Sequence, residues 1–531
     1  RLCLPAFTKI QSAGSVINIQ TAILTGFCYF CRKQKHTSFL GVIVKQSVKG
    51  TVYVYLGVIL GFITTGILFP RIYSPEQFGL LKIILAYATM ITQFGTLGIN
   101  GATIRLFPYF RDPEKKHHGF LALVLLVGLI GFVISSTLLI VFKPLIIQLS
   151  LEKSALFISY INYLFVLIFF QIFFSILDVY YSALLNSTLG TYLKEVFQRI
   201  LIIVFIGFFF FDLLTFHQFV IAYIAALSIP TIYIIFSLIK AGQFSLKPDF
   251  AFLKKDMLRS IFSVSVFSIL NGFSMNFIQN IDTIMITKMV GLDGTGIYGI
   301  CFFFGVVIAM PSRSIYKIAN VVSAEAWKTN DMKTLRDIYD KSCLTLFIIG
   351  GFLFLALWVN IDNVFRIIGP GYASGKWVIF FIGLGNLVDM ATGANSSIFG
   401  TSRYYRIQTY LLLLLVVLLV LSNLLLIPKF GITGAAIGGA ASLSILNLLR
   451  YLFLLYKYHL QPYTIRFVYV IIIGALAYLA SSVVPVFSNF ILDIIVRSSV
   501  LAILFLLPVY FFKISVDINQ KADEVMKKVG I

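Results

Sequence analysis

The chain has 531 residues, of which 59% are apolar and only 12% are charged, with 42 Lys and Arg against 21 Asp and Glu. A soluble protein of this length cannot bury so large an apolar fraction, so the composition excludes a soluble enzyme or binding module and indicates a polytopic membrane protein. The five cysteines form neither a metal-ligand cluster nor a disulfide framework, which argues against zinc or redox chemistry and predicts no cofactor.

The first 40 residues differ from the rest of the chain. They begin with Arg1 and hold three of the five cysteines, and their apolar run from Val16 to Phe30 is short for a spanning helix. We therefore expect residues 1–40 to be an extension outside the fold, such as translated upstream sequence. An extra partial helix is the alternative.

From Gly41 onward the hydropathy predicts an all-α fold of about 14 transmembrane helices joined by mostly short loops. The predicted spans are 48–69, 79–101, 119–142, 160–187, 196–216, 218–239, 261–287, 296–318, 342–360, 377–399, 407–428, 432–456, 467–487 and 489–512. The longest loop, from about Ala319 to Lys341, is charged and amphipathic, which predicts a helix on the membrane surface. No loop is long enough to fold as a separate soluble domain.

Lysine and arginine are distributed unevenly between the two sides of these spans. If the N-terminus is inside, the inner segments hold 33 of the 42 Lys and Arg and the outer loops hold 7, while Lys82 and Arg497 lie within helices. The positive-inside rule then places both termini in the cytoplasm. It also accounts for most of the positive charge, so no nucleic-acid partner is predicted.

The chain contains a weak internal repeat. A shift of 217 residues lays 68–80 over 285–297, so that Arg71 meets Lys288 and Gly79 meets Gly296. Because six helices separate the copies, both have the same orientation, which predicts two pseudo-symmetric six-helix lobes related by an axis along the membrane normal. The expected organisation is an N-lobe over 41–240, a cytoplasmic linker over 241–260, a C-lobe over 261–457, and helices 13–14 with a cytoplasmic tail over 458–531.

The seventh predicted helix, 261–287, carries a polar stripe although it is long enough to cross a bilayer. The stripe consists of Ser265, Ser268, Gly272, Met275, Asn276, Gln279 and Thr283, with Asp282 at its margin. Lipid cannot solvate such a face, so we expect it to turn toward other protein or a water-filled cavity.

The second helix of each lobe is interrupted at the same place. Pro311 in the second copy corresponds to Phe94-Gly95 in the first, and matching breaks point to a binding site or a hinge. Just beyond the breaks, toward the cytoplasm, lie three candidate substrate-binding cations, Arg105, Arg313 and Lys317. The alternative is that these side chains only reach the interface as topology anchors.

Four further charges lie inside predicted helices. A shift of 211 pairs Asp178 with Asp389, each about 16 Å from its helix end, so both are candidates for ion coupling, with pairing inside the bundle as the structural alternative. Lys82 and Asp282 lie at comparable depth in different lobes, which predicts a gate that forms when the lobes close on the outer side. Alternatively, Lys82 reaches outward and Asp282 caps a local polar cluster.

Several short motifs resemble those of a known family. They are Ser74-Pro-Glu-Gln-Phe-Gly79 after helix 1, Ile281-Asp-Thr-Ile-Met285 in helix 7, and Gly294-Thr-Gly-Ile-Tyr298 before helix 8. Together with the helix count and the repeat, they resemble the Wzx-type oligosaccharide flippases of the multidrug/oligosaccharidyl-lipid/polysaccharide (MOP) exporter superfamily, from about Gly41 to the C-terminal region. The resemblance implies a MATE-like fold that alternates access to a central cavity.

The resemblance also implies a substrate, an undecaprenyl-diphosphate-linked oligosaccharide moved across the bacterial inner membrane. Its diphosphate needs cations and its sugars need amide and hydroxyl groups, for which Arg105, Arg313, Lys317, Asn276 and Gln279 are the candidates. The partners expected are this lipid, membrane lipids, H⁺ or Na⁺, and polysaccharide polymerase or assembly proteins. The alternatives are a cation-coupled multidrug antiporter of the MATE type and a membrane-embedded polymerase or glycosyltransferase. No catalytic motif supports the enzyme.

Overall fold

The computed structural model describes residues 39–150, 154–184, 188–247 and 255–529, and this part of the chain is helical without a β-strand. Most of the predicted extension, 1–38, lies outside the described residues, and Phe39 already belongs to the first helix. The helices are α1 (Phe39–Gly61), α2 (Phe69–Ile72), α3 (Pro75–Gly95), α4 (Ile99–Phe110), α5 (Phe120–Ser150), α6 (Ala155–Tyr160), α7 (Tyr163–Ala183), α8 (Thr188–Tyr192), α9 (Gln198–Phe210), α10 (Phe216–Lys240), α11 (Lys255–Met289), α12 (Leu292–Val307), α13 (Ser312–Thr329), α14 (Met332–Val359), α15 (Ile361–Ile368), α16 (Lys376–Ala391), α17 (Asn395–Thr401), α18 (Tyr405–Phe430), α19 (Ile432–Tyr458), α20 (Ile465–Ser482), α21 (Phe490–Phe511) and α22 (Val516–Val529).

Two π-helical segments continue helices rather than ending them. Phe62–Leu68 joins α1 to α2, and Leu193–Phe197 joins α8 to α9. The two segments belong to neighbouring helices, since α1 packs against Leu193–Phe197 and α9 packs against Phe62–Leu68. The hydropathy pattern does not distinguish these turns from ordinary α-helix.

Eleven helices in the described residues are long and apolar enough to cross a bilayer, or 13 if each of two bent pairs counts as one span. The bent pairs are α12 with α13 and α16 with α17. One further predicted span falls on the continuous helical run 188–210, which carries Lys194, Glu195 and Arg199 and is therefore less apolar than the others. The count of 14 stays a prediction.

The surface helix predicted over Ala319–Lys341 is wrong. The segment consists instead of the end of α13 and the start of α14, separated only by Asn330 and Asp331. Asn330 adopts a left-handed conformation, and the Asp331 carboxylate accepts a hydrogen bond from the Thr334 amide and caps α14. Both helices therefore project beyond their apolar parts, which is why the linking sequence is charged.

The helices pack as two lobes and a terminal pair. In the first lobe α7 contacts α3, α5 and α10, and in the second lobe α19 contacts α16 and α18. The terminal helices α20 and α21 pack on each other and against α14. The lobes meet where α3 and α4 of the first lie against α11 and α12 of the second.

A buried ion pair lies where the terminal helices meet the second lobe. Arg497 Nε lies 3.0 Å from Asp493 Oδ2 on the same helix, and their side chains are only 10% and 3% exposed. Asn363 on α15 also donates to Asp493, and the Arg497 guanidinium donates to the carbonyls of Ser481 and Val484. Each charge is thus paired and hydrogen-bonded, as burial requires.

The predicted breaks in the second helix of each lobe are confirmed. Between α3 and α4 the chain turns at Leu97 and Gly98, whose φ angles are 48° and 69°. Between α12 and α13 the axis bends by 57° just before Ser312. A third break that the sequence analysis did not predict lies between α16 and α17, with a bend of 56° and a positive φ at Gly393.

Candidate functional site

The lobes touch along a contact that we call the seam, formed by Pro75 and Gly79 of α3 with Leu292 and Gly296 of α12. A Cβ atom on Gly79 would lie 2.0 Å from the Leu292 carbonyl oxygen. A Cβ atom on Gly296 would lie 1.9 Å from the Pro75 carbonyl oxygen. Only glycine allows the two backbones to approach this closely.

The seam is reciprocal, because the two contacts repeat each other across the pseudo-symmetry axis. The shift of 217 residues converts Pro75 into Leu292 and Gly79 into Gly296. Each lobe therefore contributes one glycine and one carbonyl, as in an interface between two copies related by a two-fold axis. The sequence repeat thus identifies two positions that meet in space.

Local sequence fixes the start of α3 beside the seam. Ser74 Oγ accepts a hydrogen bond from the Gln77 amide, and Gln77 Oε1 accepts one from the Ser74 amide, which forms a capping box with Pro75 in the first turn. The motif Ser74-Pro-Glu-Gln-Phe-Gly79 therefore combines a helix start with the glycine of the seam.

Two further contacts cross between the lobes at the seam end of the molecule. Arg71 of the first lobe donates to the carbonyls of Arg366 (2.9 Å) and Ile367 at the end of α15. Ser154 Oγ, at the start of α6, donates to the Thr287 carbonyl at the end of α11, 3.1 Å away. In each case the end of a long helix meets a short helix of the opposite lobe. These contacts reinforce the closure at this end.

The polar stripe of α11 faces the first lobe, as expected of a face that lipid cannot solvate. Asn276 Nδ2 donates to Gln93 Oε1 on α3 at 2.9 Å, and a Cβ on Gly98 would lie 2.1 Å from the Ser265 carbonyl oxygen. Gln279 is exposed. Phe262 and Phe267, outside the stripe, are 72% and 68% exposed, which fits a lipid-facing side.

Away from the seam, a cavity of about 620 Å³ opens between α4 and the start of α11. It is lined by Arg105 and Tyr109 from α4 and by Asp256, Arg259, Ser260 and Ser263 from α11, together with apolar side chains. Arg105 is therefore placed in an inter-lobe pocket, as a substrate-binding cation requires. Its companion there, Arg259, was missed by the sequence analysis, which assigned it to the linker.

Arg313 and Lys317 do not line this pocket. Both are exposed on α13, beyond the bend that follows α12. Ser314, between them, lies with its Oγ 3.1 Å from the Tyr55 hydroxyl on α1. The structure thus places these two cations where α13 meets α1, and Arg105 where α4 meets α11.

The predicted gate residues are not joined to each other. Asp282 accepts hydrogen bonds from Tyr298 (2.7 Å) and Asn423 (2.7 Å), both in the second lobe, and is 9% exposed. Among the described residues, Lys82 makes no ion pair, and its ammonium lies 5.2 Å from the centre of the Phe78 ring. Asp282 is thus part of a polar cluster inside the second lobe.

Asp178 and Asp389 have different surroundings despite their matching positions. Asp389 accepts from Asn447 at 2.8 Å and from Tyr316 at 3.4 Å, and Asn447 in turn accepts from buried Arg450. Asp178 lies against α8, where a Cβ on Gly190 would overlap its carboxylate, and no hydrogen bond to it occurs within the described part of the chain. The second lobe therefore holds two carboxylates, Asp282 and Asp389, in hydrogen-bonded clusters.

Comparison with known proteins identifies the family and the fold of this chain. Residues 44–321, about half of the chain, match the family model described as polysaccharide biosynthesis protein. The chain is 22% identical over 477 residues to the uncharacterized membrane protein MJ1068 of Methanocaldococcus jannaschii, covering 85% of this chain and 91% of that protein.

Two solved structures share the fold. The lipid II flippase MurJ, in an inward closed conformation, superposes with a TM-score of 0.70 at 13% identity, over 88% of this chain and 99% of that chain. A multidrug resistance MATE family transporter of the MOP superfamily, in an inward-facing conformation, gives a TM-score of 0.59 at 15% identity, over 76% and 97% of the two chains. The predicted MATE-like architecture is thereby confirmed.

Proposed function

Since this chain belongs to the polysaccharide biosynthesis protein family and has the fold of the MOP exporters, we propose that it is an alternating-access flippase. Its substrate is a polyprenyl-diphosphate-linked oligosaccharide, of the undecaprenyl type in bacteria. The product side is the outer leaflet of the cytoplasmic membrane, where the oligosaccharide enters O-antigen, capsule or exopolysaccharide. No covalent step is needed.

The observation that carries the proposal is the contrast between the two ends of the lobe interface. At one end Gly79 and Gly296 bring the backbones into contact, and at the other a cavity of about 620 Å³ opens between the later part of α4 and the first turns of α11, beyond the close contact of Gly98 with Ser265. The distribution of Lys and Arg supports a cytoplasmic position for the cavity. A substrate can then enter from the cytoplasm while the seam blocks passage outward.

The pocket chemistry suits a diphosphate. Arg105 and Arg259 both line it, and planar guanidinium groups bind phosphate oxygens in pairs of hydrogen bonds. Arg313 and Lys317 add positive charge where α13 meets α1. In this proposal the sugars contact the stripe of α11 at Gln279 and, once Gln93 releases it, at Asn276, while the lipid tail stays in the bilayer.

Two hydrogen-bonded carboxylates favour coupling to a cation. Asp282 and Asp389 lie inside the second lobe, where binding H⁺ or Na⁺ during the cycle would exchange their present hydrogen-bond donors. The same observation favours the second candidate, a cation-coupled multidrug antiporter. The two candidates differ in cargo, since an antiporter would carry cationic drugs and a flippase an anionic lipid.

Transport by the purified protein in proteoliposomes tests the proposal. The substrate is a fluorescent polyprenyl-diphosphate oligosaccharide. Translocation moves the fluorophore away from a reductant outside the liposomes, so it is measured as the fluorescence that the reductant no longer quenches. We expect the Arg105→Gln/Arg259→Gln double variant to lose transport by about tenfold or more, because each charge-assisted contact contributes about 1.5–3 kcal/mol. The control is Lys328→Gln, whose side chain is 77% exposed.

Two results contradict the proposal. One is transport by the double variant at the wild-type rate, and the other is efflux of ethidium with no movement of the lipid. The second result would establish the antiporter instead.

A further inference from the structure

Lys82 occupies a special position at the seam, one helical turn along α3 from Gly79. The residue that corresponds to it in the second lobe, at the shift of 217, is Gly299. These two positions also meet in space, since a Cβ on Gly299 would lie 3.3 Å from both Cγ and Cε of Lys82. The interface therefore has one cation at its pseudo-symmetry axis, and the opposite lobe provides a glycine that leaves room for the lysine stem.

Asp282 and Glu195 are both engaged with other partners. Asp282 binds Tyr298 and Asn423, and Glu195 forms an ion pair of 3.1 Å with Arg199. Within the described residues the ammonium has only the Phe78 ring as a partner. A cation left without an anion at this depth is costly unless something else neutralises it.

The lysine is accessible enough to receive a ligand. Its side chain is half-buried, whereas the seam residues beside it, Phe78 and Gly79, are buried. The stem lies between the two lobes, with Gly299 on one side and the Phe78 ring on the other. An anion bound to the ammonium would therefore contact both lobes at the place where they separate.

We propose that Lys82 is a second anion-binding point, which takes the diphosphate of the substrate at the seam after the pocket of Arg105 and Arg259 has received it. The proposal rests on the flippase function proposed above and extends it to a site deeper in the interface. Binding of the anion draws the Lys82 side chain away from Gly299. Arrival of the substrate headgroup and separation of the two lobes at the seam are thereby coupled through Lys82.

A binding measurement with a short prenyl diphosphate tests the assignment. The full chain is purified in detergent, and the affinities of farnesyl diphosphate and of the uncharged alcohol farnesol are measured by thermophoresis. We expect Lys82→Met to weaken farnesyl diphosphate binding about tenfold or more while leaving farnesol unchanged, because methionine keeps the stem and removes the charge. Lys82→Arg should retain most of the affinity.

The control is Lys288→Met, the same exchange at an exposed lysine on the seam end of α11. Unchanged diphosphate affinity in Lys82→Met, or an equal loss for farnesol, would overturn the seam site. If Arg105→Gln weakens binding while Lys82→Met does not, the pocket stands and only this inference fails. If wild-type protein does not distinguish the diphosphate from the alcohol, both proposals fail.

Discussion

The substitution Gly296→Ala should open the seam. The new Cβ would lie 1.9 Å from the Pro75 carbonyl oxygen, whereas an ordinary carbon–oxygen contact is about 3.3 Å. The difference of about 1.4 Å cannot be absorbed by a rotamer change, because both atoms belong rigidly to helix backbones. The two helices must move apart, and their close packing is lost.

Overpacking of this kind costs about 1–3 kcal/mol, which would shift the equilibrium between closed and open seam about 5- to 150-fold. Gly79→Ala should act in the same direction, because its Cβ would lie 2.0 Å from the Leu292 carbonyl oxygen. Both variants should still fold, since the strain falls between the lobes rather than inside either of them.

Pulsed electron spin resonance between the tips of the lobes can measure the shift. Leu213 and Phe430 are exposed at the seam end, 67% and 56%, and correspond to each other at the shift of 217. Labels at Leu213→Cys and Phe430→Cys, in a background with Cys3, Cys28 and Cys31 replaced, report the distance between the lobes. Cys301 and Cys343 are buried and free.

The matched control is Gly207→Ala on α9, because a Cβ there meets nothing within 4 Å. It raises helix propensity equally without touching the seam. We expect a longer-distance population in Gly79→Ala and Gly296→Ala and none in Gly207→Ala. Identical distance distributions in all three variants would refute the assignment of these glycines to a gate.

Three further predictions concern Asp282 of the second lobe, the ion pair of α21 and the cap of α3. Asp282→Asn should keep the protein folded, because an amide oxygen still accepts a hydrogen bond from Asn423. Transport by this variant should lose its dependence on pH or Na⁺. If the ion dependence stays as in the wild type, Asp282 does not couple transport to the ion. Arg497→Met should destabilise the fold by about 3–5 kcal/mol, because it leaves the buried Asp493 carboxylate unpaired. The double variant Arg497→Met/Asp493→Leu should recover part of the lost stability in thermal unfolding. An unchanged melting temperature in the single variant would contradict this prediction. Ser74→Ala should cost about 1 kcal/mol in the same assay, since α3 loses its cap, and Thr89→Ala, a similar change inside α3, serves as the comparison.

The helices and their interruptions follow from the sequence because they depend on local properties. Apolar length predicts each span, and Pro311 and the pair Gly95–Gly98 predict the breaks, since proline and glycine act on their own backbone. The sequence also predicts that the polar stripe of α11 faces protein, because lipid cannot solvate a polar helix face. The repeat even identified Gly79 and Gly296, although only the structure shows that they touch.

The partners of the charged residues could not be predicted in the same way. Asp282 is 141 residues from Asn423, and Arg105 is far in sequence from Arg259, so no local pattern joins them. Periodicity gives the face of a helix but not the neighbour against which it packs. For the same reason Arg497 was noted only as a charge within a helix, while its neutralising Asp493, one turn away on the same face, was not recognised.

The pairing of Lys82 with Gly299 bears on what a single chain can achieve that two identical subunits cannot. In a homodimer built from one six-helix unit, symmetry would place the same residue on both sides of the axis. Two lysines would repel each other there, and two glycines would offer no charge. Joining the units in one polypeptide lets the facing positions differ, so that one side supplies the cation and the other the space beside it. Positions on the axis are therefore the places where linkage of the two halves gives chemistry that exact symmetry forbids.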